Sequence, residues 1–160
     1  MDLRIGQGFD VHAFAPQREL ILCREKIPAP LGLAGHSDAD VALHAVMDAI
    51  LGALALGDIG DHFPDREEKW RGADSGKLLQ AVLALPQVSR AQILNCDLTI
   101  VAQQPKLAPF RAKMRQNLAD LLSLPVERVS VKFTTTEKLG FTGRGEGIAA
   151  TAVVLIDAEK

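Results

Sequence analysis

The sequence predicts an α/β fold: an α+β sandwich in which helices lie over one face of a single mixed β-sheet. Three observations point there. Apolar residues with a two-residue period alternate along the chain with stretches of 3.6-residue period. Gly or Pro punctuates most of the joins. With 160 residues, 48% hydrophobic and 24% charged, the chain suits one domain over 1–160 with a sizeable core.

The elements follow in order. From Leu3 to Phe14, the residues Leu3, Ile5, Phe9 and Val11 share one strand parity, and Gly6 and Gly8 mark a close backbone approach. Leu20–Cys23 and 27–33 read as a short hairpin, broken by Pro28, Pro30 and Gly32. A helix is expected from Ser37-Asp38, with Ser37 and Asp40 in capping-box spacing and Gly57 as its stop. Residues 57–72 read as a charged loop, and a second helix runs from Asp74 to Leu85, ended by Pro86. A strand over 92–103 precedes a third helix opened by Pro109, whose Phe110, Met114, Leu118, Leu121 and Leu122 keep the helical period. Strands over 129–135 and 148–156 enclose the glycine-rich turn GFTGRGEG.

Composition excludes several function classes. Eighteen basic against twenty acidic residues, a net charge of −2, lack the electrostatic footprint of a nucleic-acid binder. Six Phe, one Trp and no Tyr argue against a base-stacking platform. The longest apolar stretch, 41–56, falls short of the roughly 20 residues a membrane span needs and carries His44 and Asp48. The N-terminus has neither the signal-peptide nor the transit-peptide pattern. Cys23 and Cys96 form no C-x-x-C pair, so reduced thiols in a cytoplasmic protein are expected.

Two constellations carry chemistry. Asp10 and His12, two apart on a strand, leave one face together, and His44 lies on a helix with Asp40 and Asp48 a turn to either side. One carboxylate and two imidazoles suit zinc with a fourth position open. The alternative is a surface Asp-x-His pair with a core histidine bonded to Asp40 or Asp48. In the second constellation, KFTTTEK followed by LGFTGRGEG offers the hydroxyls of Thr134, Thr135 and Thr136, with Lys132, Lys138 and Arg144, to phosphate oxygens. Glu137 could hold Mg²⁺ there. The alternative is a Thr-rich strand entering a tight turn with a solvated Arg-Glu pair. Neither a Walker A nor a G-x-G-x-x-G sequence is present.

Four stretches, RIGQGFDVHAF, GHSDADVALHAVMDAILGALALGDIGDHFPD, NCDLTIVAQQPKLAP and TTTEKLGFTGRGEGIAA, cover almost the whole chain. Together and in this order they resemble the 2-C-methyl-D-erythritol 2,4-cyclodiphosphate synthase family of the non-mevalonate isoprenoid pathway. The resemblance implies a bacterial, cytoplasmic lyase. It would convert 4-diphosphocytidyl-2-C-methyl-D-erythritol 2-phosphate to the 2,4-cyclodiphosphate and release CMP.

The resemblance further implies a homotrimer with active sites between subunits. By it, Zn²⁺ falls to Asp10, His12 and His44, and Mg²⁺ or Mn²⁺ to Glu137 with the substrate's phosphates. His36 and Thr135 match positions that stabilise the transition state. Ser37, Asp58, Ile59, Gly60 and the Phe63-Pro64-Asp65 loop match contacts to the erythritol and its 2-phosphate, and Thr134 and Thr136 flank Thr135 as further substrate contacts. Ala102, Pro105, Lys106, Leu107 and Ala108 match a cytidine pocket. Phe141 and Arg144 match a region near the threefold axis that can bind an isoprenoid diphosphate. Gln7, Phe133 and Asp61-His62 depart from the commonest family pattern, and Phe133 bears on the cytidine fit. Two other functions use the same residues: a zinc phosphohydrolase yielding CMP and a linear bisphosphate, and a trimeric isoprenoid-diphosphate sensor built on Arg144, Ile5, Phe9 and Val101.

Overall fold

A computed structural model describes residues 1–64 and 67–159. Five strands form one mixed sheet in the order β4-β1-β7-β5-β6, with β1 Leu3–Ala15, β4 Gly32–Leu33, β5 Gln92–Val101, β6 Val129–Thr134 and β7 Gly147–Asp157. Among the described residues only the β5–β6 pair is parallel, and the connection between them carries a helix, the usual form of a parallel crossover. A separate hairpin joins β2 Leu20–Leu22 to β3 Glu25–Ile27. The helices α1 Val41–Ala53, α3 Ser75–Leu83 and α5 Arg111–Leu122 form one layer, α1 against β1 and β7, α3 against α1, and α5 against β6. Short helices fill the remainder: α2 Ile59–His62, α4 Pro86–Ser89 and α6 Gly140–Gly143.

The core lies between sheet and helices. Helix α1 is buried almost all round, with Leu43, Met47, Ile50 and Leu51 fully enclosed. It lies unusually close to β1. A Cβ on Gly6 would come 1.8 Å from the Ala49 carbonyl oxygen, and one on Gly8 would come 2.0 Å from that of Ala45. Glycines on the strand and alanines on the helix are what let the two backbones touch.

The structure corrects several expectations. Helix α1 begins at Val41, not at Ser37, and Asp40 is its cap, accepting from Leu43 N–H. The same carboxylate takes the backbone N–H of Cys23 and Arg24, whose positive φ angles leave those donors pointing at it. Ser37 Oγ instead accepts from Ala39 N–H. The helix ends at Ala53, four residues before Gly57, because the chain turns left-handed at Ala55 (φ 55°). α3 stops at Leu83, and Pro86 opens the short α4. Residues 108–110 form a 3-10 turn before α5 begins at Arg111.

Strand β1 turns its apolar parity away from the helices: Ile5 is 72% and Phe9 57% exposed, and Leu3, Val11 and, on β7, Val153 are exposed too. The helix side is taken by Gly6, Gly8, Asp10 and His12, since only glycine fits under α1.

Candidate metal centre and active site

Asp10 and His12 leave β1 on the helix face, just past the glycine contacts. His44 meets them from the first turn of α1. The Gly6–Ala49 and Gly8–Ala45 contacts fix the height of the helix over the strand, and so place the His44 ring. Asp10 Oδ2, His12 Nε2 and His44 Nδ1 form a triangle with sides of 3.0 Å. These three residues could hold a metal ion.

The donor chemistry fits a cation. His12 Nδ1 lies 2.5 Å from the Ala34 carbonyl oxygen, which can only accept, so the ring proton sits on Nδ1 and Nε2 turns a lone pair inward. His44 Nε2 lies 3.1 Å from Ser75 Oγ and 3.2 Å from Ser37 Oγ. Burial works against a charged Asp10, but with no cation present the His12 and His44 rings, when they carry a proton toward it, outweigh burial and hold the carboxyl well below the usual carboxylate range. Asp10 in turn raises the His12 imidazole against the opposing effect of burial. Borderline nitrogen ligands with one carboxylate match zinc and similar divalent ions.

The triad opens into a pocket of about 230 Å³. His36 and Ser37 line one side, Ile59, Gly60 and Phe63 another, and Trp70 closes it, edge-on to Phe63 with ring centroids 5.0 Å apart. His36 is exposed and free to reach a ligand, and the Arg18 guanidinium braces its segment by donating to the carbonyls of Leu33 (3.1 Å) and Ser37 (2.7 Å). Asp58 caps α2 in a capping box with Asp61. Asp48 does not orient an imidazole: its carboxylate accepts Ile59 N–H at 2.8 Å and ties the 58–60 turn to α1. Pro64 closes this stretch of the described chain, and Asp65 lies outside the described residues.

The second constellation assembles separately. Ala102 N–H donates to the Thr134 carbonyl, and Lys138 N–H to the Gln103 side chain. Residues 102–108, with Pro105 after a cis peptide bond, Lys106 and Ala108 exposed and Leu107 buried, therefore adjoin Thr134 and Thr135. Thr136 Oγ1 bonds to Thr142 Oγ1, Glu137 is exposed and accepts weakly from Thr135 Oγ1 (3.4 Å), and Arg144 pairs with Glu146 at 2.6 Å. Phe141 is exposed at the start of α6.

The two constellations do not meet within one chain. Asp10 registers with Ala150, Ala150 with Ile100, and Ile100 with Phe133. Three strand spacings of about 4.8 Å put them roughly 14 Å apart across the sheet.

Asp38 and Ser75 escaped the reading of the sequence. Ser75 follows a residue, Asp74, that already caps α3, so a second capping type there was redundant. That redundancy was the available signal.

The YgbB family matches residues 3–157. A protein of Geobacter metallireducens named 2-C-methyl-D-erythritol 2,4-cyclodiphosphate synthase is 59% identical over 155 residues, 97% of this chain and 99% of that one. The solved structure of the bifunctional IspDF from Campylobacter jejuni superposes with a TM-score of 0.92 at 43% identity, over 98% of this chain and 42% of that one. The CDP complex of IspF from Plasmodium falciparum superposes at 0.85 with 32% identity, over 99% and 98% of the two chains. No helix among the described residues is long and apolar enough to cross a membrane. On the family match and on full-length identity of this order, the chain belongs to the YgbB family, that of the 2-C-methyl-D-erythritol 2,4-cyclodiphosphate synthases.

Proposed function

We propose that this chain is a CMP-releasing lyase that forms 2-C-methyl-D-erythritol 2,4-cyclodiphosphate from 4-diphosphocytidyl-2-C-methyl-D-erythritol 2-phosphate. The observation that carries the reading is the 3.0 Å triangle of Asp10, His12 and His44 beside His36, in a chain 59% identical to a protein named as that synthase. An oxygen of the 2-phosphate bonds to the β-phosphorus, the bond from that phosphorus to the bridging α-oxygen breaks, and CMP leaves with the electron pair. A phosphate dianion needs no general base. What the protein must supply is charge neutralisation and alignment, and aligned intramolecular reactions gain about 7–11 kcal/mol over bimolecular ones.

Asp10, His12 and His44 would hold one Zn²⁺, and Glu137 with the substrate's phosphates one Mg²⁺ or Mn²⁺, and such ions neutralise phosphate charge. His36 and Thr135 donate hydrogen bonds to the phosphoryl oxygens as charge develops. Ser37, Asp58, Ile59, Gly60, Phe63, Pro64 and Asp65 hold the erythritol phosphate. Ala102, Pro105, Lys106, Leu107 and Ala108 hold the cytidine, and Thr134 and Thr136 orient the diphosphate. A homotrimer with sites between neighbours belongs to the same proposal. The separation of the two constellations supports it, as does the exposed apolar face of β1, which an oligomer would cover. Phe141 and Arg144 would then stand near the axis as a site for an isoprenoid diphosphate. The bacterial relatives support a location in the bacterial cytoplasm.

Phosphorus NMR of the purified protein with the cytidyl substrate, Zn²⁺ and Mg²⁺ tests the reading. Cyclic diphosphate and CMP, abolished by chelator, are expected. A linear bisphosphate would make the protein a phosphohydrolase, and untouched substrate would leave only a binding protein.

A further inference from the structure

The ring of His44 has a second side that the proposed chemistry does not use. Its Nε2 points away from the triad into the protein, to Ser75 Oγ at 3.1 Å. Ser75 is fully buried at the start of α3. Its hydroxyl makes a very short hydrogen bond to Asp38 Oδ1, and its backbone N–H donates to Asp38 Oδ2 at 3.1 Å. Asp38 is itself fixed, through the N–H of Asp40 on Oδ1 and its own N–H on the Ala73 carbonyl.

The polarity of the Ser75–Asp38 bond is fixed. A carboxylate only accepts, so the Ser75 proton is committed to Asp38. Ser75 Oγ then has only lone pairs to offer His44, which favours the ring proton on Nε2 and leaves Nδ1 bare toward Asp10 Oδ2 and His12 Nε2, each 3.0 Å away, as a cation held there requires. Ser37 Oγ, 3.2 Å from the same nitrogen, accepts from Ala39 N–H and keeps a second lone pair that can share the Nε2 proton. We infer that Asp38 and Ser75 are positioning residues that set the tautomer and orientation of His44, and with them the affinity of the metal centre. The inference rests on the reading of Asp10, His12 and His44 as zinc ligands. It adds a carboxylate–serine–histidine relay reaching from the start of α3 to the ligand set.

Two measurements on the purified full-length chain test it. The first is zinc affinity, by competition with a chelating fluorophore. The second is the ¹⁵N–¹H correlation of His44 in metal-free protein near pH 8, which reports the protonated nitrogen directly. Ser75→Ala is expected to weaken zinc binding about 10–100-fold and to lose the pure Nε2–H pattern. Ser75→Thr, which keeps the hydroxyl, should restore both. Asp38→Asn, nearly equal in size, should give the weakened phenotype if Ser75→Ala does not fold. Ser75→Ala and Asp38→Asn chains that bind zinc within about twofold of wild type and keep His44 protonated on Nε2 would overturn the inference. A wild-type chain that takes up no zinc would overturn the metal reading instead, while the tautomer measurement would still decide the role of Asp38 and Ser75.

Discussion

Replacing Gly8 by alanine tests whether the metal triad depends on how closely α1 lies on β1. The added Cβ would sit 2.0 Å from the Ala45 carbonyl oxygen and 2.7 Å from Ala49 N, both helix backbone, so no side chain can swing aside. A carbon–oxygen contact tolerates about 3.3 Å, so the helix must retreat by roughly 1.3 Å at that turn. Overpacking of this kind costs about 1–3 kcal/mol. For a chain of this size each kcal/mol lowers Tm by about 2–4 °C, giving a loss of about 2–12 °C. His44 precedes Ala45 on the same turn, so the 3.0 Å triangle opens with the helix, and a displacement near 1 Å can cost about 100-fold in a positioned site. Gly52→Ala is the matched control. It lies on the same helix, but its Cβ would meet nothing nearer than the Gln7 carbonyl oxygen at 3.8 Å, so a gain of about 0.5–1 kcal/mol is expected. Thermal denaturation at one protein concentration and zinc competition read both variants. A Gly8→Ala protein with the melting temperature and zinc affinity of wild type would refute the argument.

Glu137→Gln should leave zinc affinity unchanged and flatten the Mg²⁺ dependence of turnover. A Mg²⁺ titration superposable on wild type would remove Glu137 from the second metal site. Arg18→Ala should free the 33–37 segment that carries His36, since it removes donors from the Leu33 and Ser37 carbonyls. We expect kcat to fall about tenfold or more with little change in zinc affinity, and unaltered kcat would show that the segment holds itself.

The parts of the site legible in the sequence are those fixed by local periodicity. Asp10 and His12 share a parity on any strand, and His44 falls on a helix wherever its start is drawn, so an error of several residues in that start did no harm. Long-range contacts were illegible. Ser75 reaches His44 across 31 residues and Asp38 across 37, and no spacing rule connects them. Asp48, one turn beyond His44, invited the reading of an imidazole partner. The backbone of Ile59, whose approach to α1 depends on the turn after it, claimed its carboxylate first. In the same way Asp40 rather than Ser37 capped α1, because the hairpin turn at Cys23 and Arg24 also needed its oxygens.

The apolar parity of β1 shows what alternation by itself leaves open. Alternation establishes that one face differs from the other, but not which of them meets the helices. That choice belongs to Gly6 and Gly8. They share the parity of Asp10 and His12, and a helix seated on glycine brings its backbone closer than any side chain would permit. The same close seating that puts His44 within 3.0 Å of its partners therefore turns Ile5 and Phe9 outward. Assembling the candidate metal triad on one face of β1 and leaving an apolar face exposed on the other are thus one structural decision, made by two glycines. A side chain at either position would disturb both at once.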